Sequence, residues 1–280
     1  FRERLGVDPD AGPDPAAHKG GRGHVLVAAG SRAMSGAGLL ASAAALRGGC
    51  GLVTWAAPER VLPPLLAERP ELLMARLADG GRGDWSGVAV DELLALARGK
   101  QALVIGPGMG RWPGDADWLR AVWERVDLPL VADADALNMM AAADFTAWPA
   151  RRAPAVLTPH PGEMARLCGM STAEVQRDRI GVARQFAMTR GVVLVLKGAR
   201  TVCALPGGDV YVNPTGNAGM ATAGSGDVLA GIIGALLAQG LSAAQAATLG
   251  VYRHGAAGDR AAAVRPAPHS LVAGDILAHL

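Results

Sequence analysis

From His24 onward the chain alternates short, nearly unbroken apolar runs with stretches of helical period, and this alternation is the strongest constraint on its fold. The runs His24–Ala29, Leu52–Ala56, Ala102–Ile105, Leu128–Ala132, Ala155–Thr158 and Val192–Leu196 read as strands buried on both faces. Between them, Gly38–Arg47, Asp91–Arg98, Asp115–Arg125 and Ala136–Ala142 read as helices. Trp118, Leu119, Val122 and Trp123 form the inner face of the third. Ser171 with Glu174 is a capping box expected to open a helix reaching about Thr189. Thr201–Leu205 and Asp209–Val212 are expected to form a hairpin across Pro206-Gly207-Gly208. Ser242 with Gln245 caps a later helix, and a last one begins near Ser270. The pattern implies an α/β fold with a mostly parallel sheet covered on both faces. Ligands of such sheets bind outside the carboxyl ends of the strands.

The Gly-rich and polar clusters fall at those ends. Ala223-Gly224-Ser225-Gly226-Asp227 turns directly into an apolar helix. Its glycines uncover backbone amides, and the helix start adds unpaired N–H groups and a positive dipole end, which together suit a phosphate. Asp227 is either a helix cap or a base that takes a proton from an attacking hydroxyl. Gly30–Gly38 is either a phosphate loop or a tight connection capped by Ser35, and it lacks the Gly-Lys-Ser/Thr of a Walker loop. Gly106-Pro107-Gly108-Met109-Gly110 reads as a loop shaped against a ligand. Asp133 and Asp135 follow a strand. They suit substrate orientation or hydrated Mg²⁺, or else a helix cap at Asp135 with Asp133 bonded to loop amides. His160 is held between Pro159 and Pro161, with Glu163 available to hydrated magnesium. Lys197 and Arg200 lie on a turn between strands, where they suit an anionic phosphate or form a solvated basic hairpin.

Several classes are disfavoured. The net charge of +2 gives no basic field for nucleic acid, and aromatics at 4% supply no stacking platform. No apolar run is long enough for a membrane helix. Cys50, Cys168 and Cys203 have no metal or disulfide spacing and are expected as buried thiols of a reducing, cytoplasmic compartment. Residues 1–17, rich in Pro, Asp and Gly, are expected to be a linker or N-terminal arm ahead of a single domain at 18–280.

HKG at 18–20, VLVAAGSRAMSGAGLLASAAAL, GLVTWAAPE, VIGPGMG, DADALN, LTPHPGE, LKGART, NPTGNAGMATAGSGDVLAGIIGALLAQG and YRHGAAGD occur in order across nearly the whole chain. In these segments the sequence resembles the NAD(P)H-hydrate dehydratase family, a branch of the ribokinase-like superfamily. The resemblance implies a three-layer αβα sandwich. It also implies a repair enzyme that uses Mg²⁺ and ADP or ATP to dehydrate the S-epimer of NAD(P)H hydrate. The hydroxyl is phosphorylated, and phosphate then leaves. Carried onto this sequence, Ala37, Gly108, His160 and Asp227 would bind the hydrate, and Asp227 would be the base. Lys197, Gly198, Ala199, Arg200 and Thr201, with Gly224, Ser225 and Gly226, would hold the nucleotide. The family also implies a homotetramer and frequent fusion behind an epimerase domain. The Phe1 start and residues 8–15 fit a linker from such a fusion. Gly21 stands where an aspartate is usual, Ala218 for a frequent proline and Ser225 for a frequent threonine whose hydroxyl it keeps. Two other readings share these motifs: a kinase of a sugar or vitamin-precursor alcohol, and a nucleotide-binding module without catalysis.

Overall fold

The computed structural model describes residues 2–9, 18–62, 68–265 and 267–280. Among them nine strands form one sheet: β1 (His24–Ala28), β2 (Leu52–Pro58), β3 (Leu73–Leu77), β4 (Ala102–Ile105), β5 (Leu130–Ala132), β6 (Ala155–Leu157), β7 (Val193–Leu196), β8 (Val202–Ala204) and β9 (Val210–Val212). Their order is β3-β2-β1-β4-β5-β6-β7-β8-β9. The pairs from β3 to β7 are parallel, and β7–β8 and β8–β9 are antiparallel. The expected mostly parallel α/β sheet and the terminal hairpin are both present.

The helices are α1 (Arg2–Leu5), α2 (Ser35–Arg47), α3 (Val90–Ala97), α4 (Asp115–Arg125), α5 (Asp135–Ala142), α6 (Pro161–Cys168), α7 (Thr172–Arg177), α8 (Arg179–Arg190), α9 (Ser225–Ala238), α10 (Ala243–Ala263) and α11 (Ala273–Ala278). Strand side chains alternate between two cores. Val25 and Val27 of β1 and Val104 of β4 pack with α2, α9, α10 and α11, whereas Leu26, Leu103 and Ile105 pack with α3 to α8. Two layers of helix therefore sandwich the sheet. Small residues seat α9 close to its neighbours. A Cβ on Gly231 would lie 2.1 Å from the Ala41 carbonyl oxygen, and one on Gly234 would lie 2.2 Å from a Val104 methyl.

The structure departs from the sequence reading in several elements. The edge strand β3, with Leu73 exposed, has no counterpart among the expected strands because Leu72–Leu77 shows no clean alternation. Helix α6 is likewise absent from the sequence expectations, in which Pro159 and Pro161 only fix the backbone around His160. Pro161 instead occupies the first helical position, where its missing N–H costs nothing. The Ser171–Glu174 capping box is present, but the helix it opens stops at Arg177. Asp178 then caps α8 by accepting from the Gly181 amide at 2.8 Å. Ser35 is the first residue of α2 rather than its cap, and the preceding Met34 makes no side-chain cap bond. Cys50 and Cys203 are buried, but Cys168 is only partly so.

Residue 1 and residues 10–17 of the expected arm lie outside the described residues. Residues 5–9 run along α10, where Gln245 donates to the Leu5 carbonyl at 2.8 Å and Arg253 to that of Pro9 at 3.1 Å. No helix among the described residues is long and apolar enough to cross a membrane.

Candidate active site

The loops after β1, β4, β5, β6 and β7 and the first turn of α9 converge at the carboxyl edge of the sheet. Gly224 precedes α9 in the left-handed region, φ 86°, and a Cβ there would meet a Leu40 methyl at 2.5 Å. Only glycine fits both the dihedral and the space. The Asp227 carboxylate, in the first turn of α9, has no hydrogen-bond partner among the described residues and is half-buried. Burial raises its pKa to about 6. Asp133 and Asp135 add to the rise, against the pull of Lys197.

Lys197 follows β7. Its amide donates to the Pro159 carbonyl at 2.8 Å, tying the ends of β6 and β7 together. Its Nζ donates to Asp133 Oδ1 at 2.6 Å and lies 3.8 Å from Glu163 Oε2. A Cβ on Gly226 would sit 3.2 Å from Nζ and 3.6 Å from Asp133 Oδ2, so the pair lies directly against the first turn of α9. Burial works against the ammonium, but Asp133, Glu163 and Asp227 outweigh it and hold the Lys197 pKa above its ordinary value. Asp133 thus serves the lysine, not loop amides. Asp135 begins α5 rather than capping it, and its Oδ2 accepts from the Gly110 amide at 2.8 Å. The alternative of a cap at Asp135 with Asp133 on loop amides is thereby corrected: the acidic pair braces its neighbours across strand ends, which sequence spacing does not reveal.

His160 is the N-cap of α6. Its Nδ1 accepts from the amides of Gly162 at 3.0 Å and Glu163 at 3.3 Å, while Glu163 Oε2 accepts from the His160 amide at 2.8 Å. This reciprocal box fixes Nδ1 as an acceptor. Burial and the Lys197 charge lower the imidazole pKa, keeping the ring neutral near pH 7. Its Nε2 lies 3.4 Å from Glu163 Oε1, and the ring is half-exposed. Glu163 itself is buried, which raises its pKa to about 7 despite Lys197.

Ala37 and Gly108 are in contact: a Cβ on Gly108, φ 62°, would lie 2.7 Å from Ala37 Cβ. The loop after β1 is fixed from two sides by indole N–H groups, with Trp55 donating to the Ala29 carbonyl at 2.9 Å and Trp85 to that of Gly30 at 2.6 Å. Residues 197–201 are shaped by Arg179, whose guanidinium donates to the carbonyls of Leu196, Lys197 and Ala199 at 3.0, 3.1 and 2.5 Å. Gly198, φ 137°, lies against that guanidinium. Thr201 Oγ1 donates to the Gly198 carbonyl at 3.0 Å, and the exposed Arg200 donates to that of Pro214 at 2.7 Å. Ser225 Oγ lies 3.3 Å from Nε2 of the buried His254, whose pKa burial pushes down to about 4.

The segment ahead of α9 is braced by α10. Asn213 Nδ2 donates to Thr215 at 3.0 Å, and Gly216 N and Asn217 Nδ2 each donate to Asp259 at 2.9 Å. Gly255 lets Thr215 approach, since a Cβ there would meet its hydroxyl at 2.2 Å. Sequence reasoning assigned no role to Asp133 as a lysine partner, to Arg179 or to His254. Asp133 and His254 lie in the DADALN and YRHGAAGD segments, whereas Arg179 lies in none of the quoted motifs. No pattern around Arg179 marks it as the clamp of a loop twenty residues away.

Among the described residues no group of three or more His, Cys, Asp or Glu side chains is arranged to hold a metal ion. The carboxylates of Glu163 and Asp133 flank Lys197, a sparse donor set of the kind that suits a magnesium ion retaining most of its waters.

Residues 25–277 match the family model described as NAD(P)H-hydrate dehydratase. Over 264 residues the chain is 48% identical to a bifunctional NAD(P)H-hydrate repair enzyme of Moorella thermoacetica, covering 94% of this chain and 49% of that protein. Over 245 residues it is 42% identical to an ADP-dependent (S)-NAD(P)H-hydrate dehydratase of Neisseria meningitidis, covering 86% of this chain and 78% of that protein. It superposes with TM-score 0.81 and 33% identity on a Bacillus subtilis ADP/ATP-dependent NAD(P)H-hydrate dehydratase co-crystallized with ATP/Mg2+, covering 96% of this chain and 91% of that one. The layered sheet is the ribokinase-like fold. The chain spans about half the length of the bifunctional relatives it matches.

Proposed function

The chain belongs to the NAD(P)H-hydrate dehydratase family, and on that premise we propose that it dehydrates the S-epimer of NAD(P)H hydrate using ADP or ATP. The observation that carries this reading is the Asp227 carboxylate, unpartnered among the described residues, at the start of α9 and beside the Lys197–Asp133 pair. Asp227 accepts the proton of the substrate hydroxyl as that oxygen attacks the terminal phosphoryl group. An O–P bond forms, and the bond to the departing AMP or ADP breaks. Phosphate then leaves C6 as a proton leaves C5, restoring the nicotinamide double bond. Hydroxide leaves poorly and phosphate leaves well, so the nucleotide is consumed to exchange one for the other.

The remaining roles follow from placement. The first-turn amides of α9 and the Gly224–Gly226 turn receive the transferred phosphoryl charge. Lys197 adds a cation already held in position by Asp133. Ala37 and Gly108, being small, leave room for the nicotinamide ring, and His160 offers a neutral N–H to a polar substituent. The loop 197–201, clamped by Arg179, carries the nucleotide. Magnesium would enter with the nucleotide and face Glu163 and Asp133 through its waters, neutralising phosphate charge. The reading includes a homotetramer in the cytoplasm that works with, or is fused to, an NAD(P)H-hydrate epimerase.

The test is recovery of reduced-nicotinamide absorbance when the protein meets Mg²⁺, ADP or ATP and a mixture of NADH hydrates. Nucleotide-dependent recovery supports the dehydratase, and parallel ADP and ATP reactions identify the donor. No recovery by protein that demonstrably binds nucleotide overturns it. A product that keeps its phosphate would instead favour an alcohol kinase.

A further inference from the structure

A cavity lies beside the Ala37–Gly108 contact, lined by none of the residues assigned above to the hydrate or the nucleotide. Its volume is about 760 Å³, within the range of small-ligand sites. Its walls are the loops 31–34, 82–86 and 109–113. They are joined by the Arg32 amide donating to the Gly83 carbonyl at 2.8 Å. Met34, Met109 and Trp112 supply apolar surface, and Arg32, Arg82 and Arg111 supply cations.

The cations are not equivalent. Arg111 is committed to Asp115 and to the Asn138 carbonyl. Arg82 donates to Ser86 Oγ at 3.0 Å, and Asp84, the carboxylate of the cavity, is bonded to the Ser86 amide and hydroxyl. The Arg32 guanidinium has neither a hydrogen-bond nor an ion-pair partner among the described residues. Its aliphatic stem lies along Gly83, where a Cβ would meet Arg32 Cβ at 3.0 Å and Cδ at 3.3 Å. The stem is thus packed while the guanidinium stays free.

The cavity adjoins the catalytic cleft at Met34 and Gly110. The Met34 carbonyl oxygen lies where it would sit 2.7 Å from a Gly108 Cβ, and Gly110 is bonded to Asp135, two residues from the lysine-bound Asp133. A ligand with its reacting ring near Ala37 and Gly108 and a second nucleotide half beyond would therefore run into it.

We propose that this cavity holds the distal adenosine-phosphate half of the dinucleotide substrate, with Arg32 gripping its phosphate charge and Met34 and Trp112 packing against its base. This rests on the dehydratase reading. Arginine suits the role because its planar fork matches phosphate oxygens, and a flat base gains from an aromatic and thioether surface.

The experiment compares wild type and Arg32→Ala on two substrates: NADH hydrate, and the hydrate of reduced nicotinamide mononucleotide, which lacks the distal half. Wild-type turnover of NADH hydrate comes first, and its absence would overturn the dehydratase reading itself. Given that turnover, Arg32→Ala is expected to raise KM for NADH hydrate about tenfold, the scale of a lost charge-assisted hydrogen bond. kcat and the KM for ADP are expected to stay put, and Arg32→Lys to recover part of the loss. On the mononucleotide hydrate the two enzymes should be indistinguishable. An unchanged KM for NADH hydrate, an equal loss on both substrates, or a rise confined to the ADP KM would each overturn the proposal, the last by giving the cavity to the phosphoryl donor. Arg82→Ala, on the opposite wall, is expected to act in the same direction and serves if Arg32→Ala does not fold.

Discussion

The two ends of the cleft handle charge in opposite ways. Around Lys197 the ammonium is matched by Asp133 at 2.6 Å and Glu163 at 3.8 Å, all three largely or wholly buried. Around Arg32 the cations ring an open cavity, and the guanidinium nearest Gly83 has no partner among the described residues. The difference follows from solvent. A charge out of water must be paired in the folded protein, whereas one left in water can wait for a ligand. Phosphoryl transfer needs groups fixed before the substrate arrives, and binding of a remote substrate half does not. The largest effects of substitution are therefore expected at the Lys197 end.

Asp227→Asn should produce the largest. Removing a positioned base is expected to lower kcat by roughly 10² to 10⁴. Nucleotide affinity, measured by calorimetry, should hold or improve, because the carboxylate repels phosphate. A variant with near-normal kcat would reduce Asp227 to a helix cap and erase the contrast between the two ends.

Next in size is the cost of separating the buried pair. Lys197→Met leaves Asp133 buried without its counter-charge, and urea unfolding should show a loss of about 3 kcal/mol. Adding Asp133→Asn should restore much of that stability but not turnover. Arg32→Ala should leave the unfolding midpoint within experimental error, as expected of an exposed cation. Equal destabilisation at both ends would refute the distinction drawn from burial.

The two ends also differed in how far the sequence revealed them. Strand runs, their order of alternation with helices, and the Gly224–Asp227 turn were legible because each is written in contiguous residues whose spacing matches a backbone period or a turn. The Asp133–Lys197 pair joins residues 64 positions apart across the ends of β5 and β7, and neither residue type alone specifies the other. His160 was found but its setting was not. Histidine is an unusual cap, and the flanking prolines masked the start of α6. The Arg32 cavity is assembled from three loops with no common motif, so only the fold brings it into view.

The pH dependence of turnover offers a sharper comparison. Asp227 must be ionised to accept a proton, and burial places its pKa at about 6. kcat/KM is expected to rise with pH up to about 6, roughly tenfold per unit on the acid limb if that group alone controls it. In Asp227→Asn the limb should vanish, while Arg32→Ala should keep it unchanged in position. A limb that stays in Asp227→Asn would assign the titration elsewhere, with Glu163, raised to about 7, the first group to examine.

The smallest expected effect concerns how the Lys197 end is braced from behind. Asn217 donates to Asp259 on α10 at 2.9 Å, and its side-chain oxygen accepts from the Gly219 amide at 3.0 Å, shortly before the turn that delivers Asp227. Both bonds are partly exposed to water, so Asn217→Ala should cost only about 1 kcal/mol of stability. Its effect on function should nevertheless be visible. A looser approach to Gly224 relaxes the position of Asp227, and kcat is expected to fall severalfold while KM for the hydrate changes little. Arg32→Ala has the opposite signature, a changed KM at constant kcat. Measured side by side, the two variants separate a residue that holds the reacting groups in place from one that holds the far end of the substrate. If Asn217→Ala instead raised KM alone, the segment ahead of α9 would belong to the binding surface, and the division of the cleft into a preset end and an open end would have to be redrawn there.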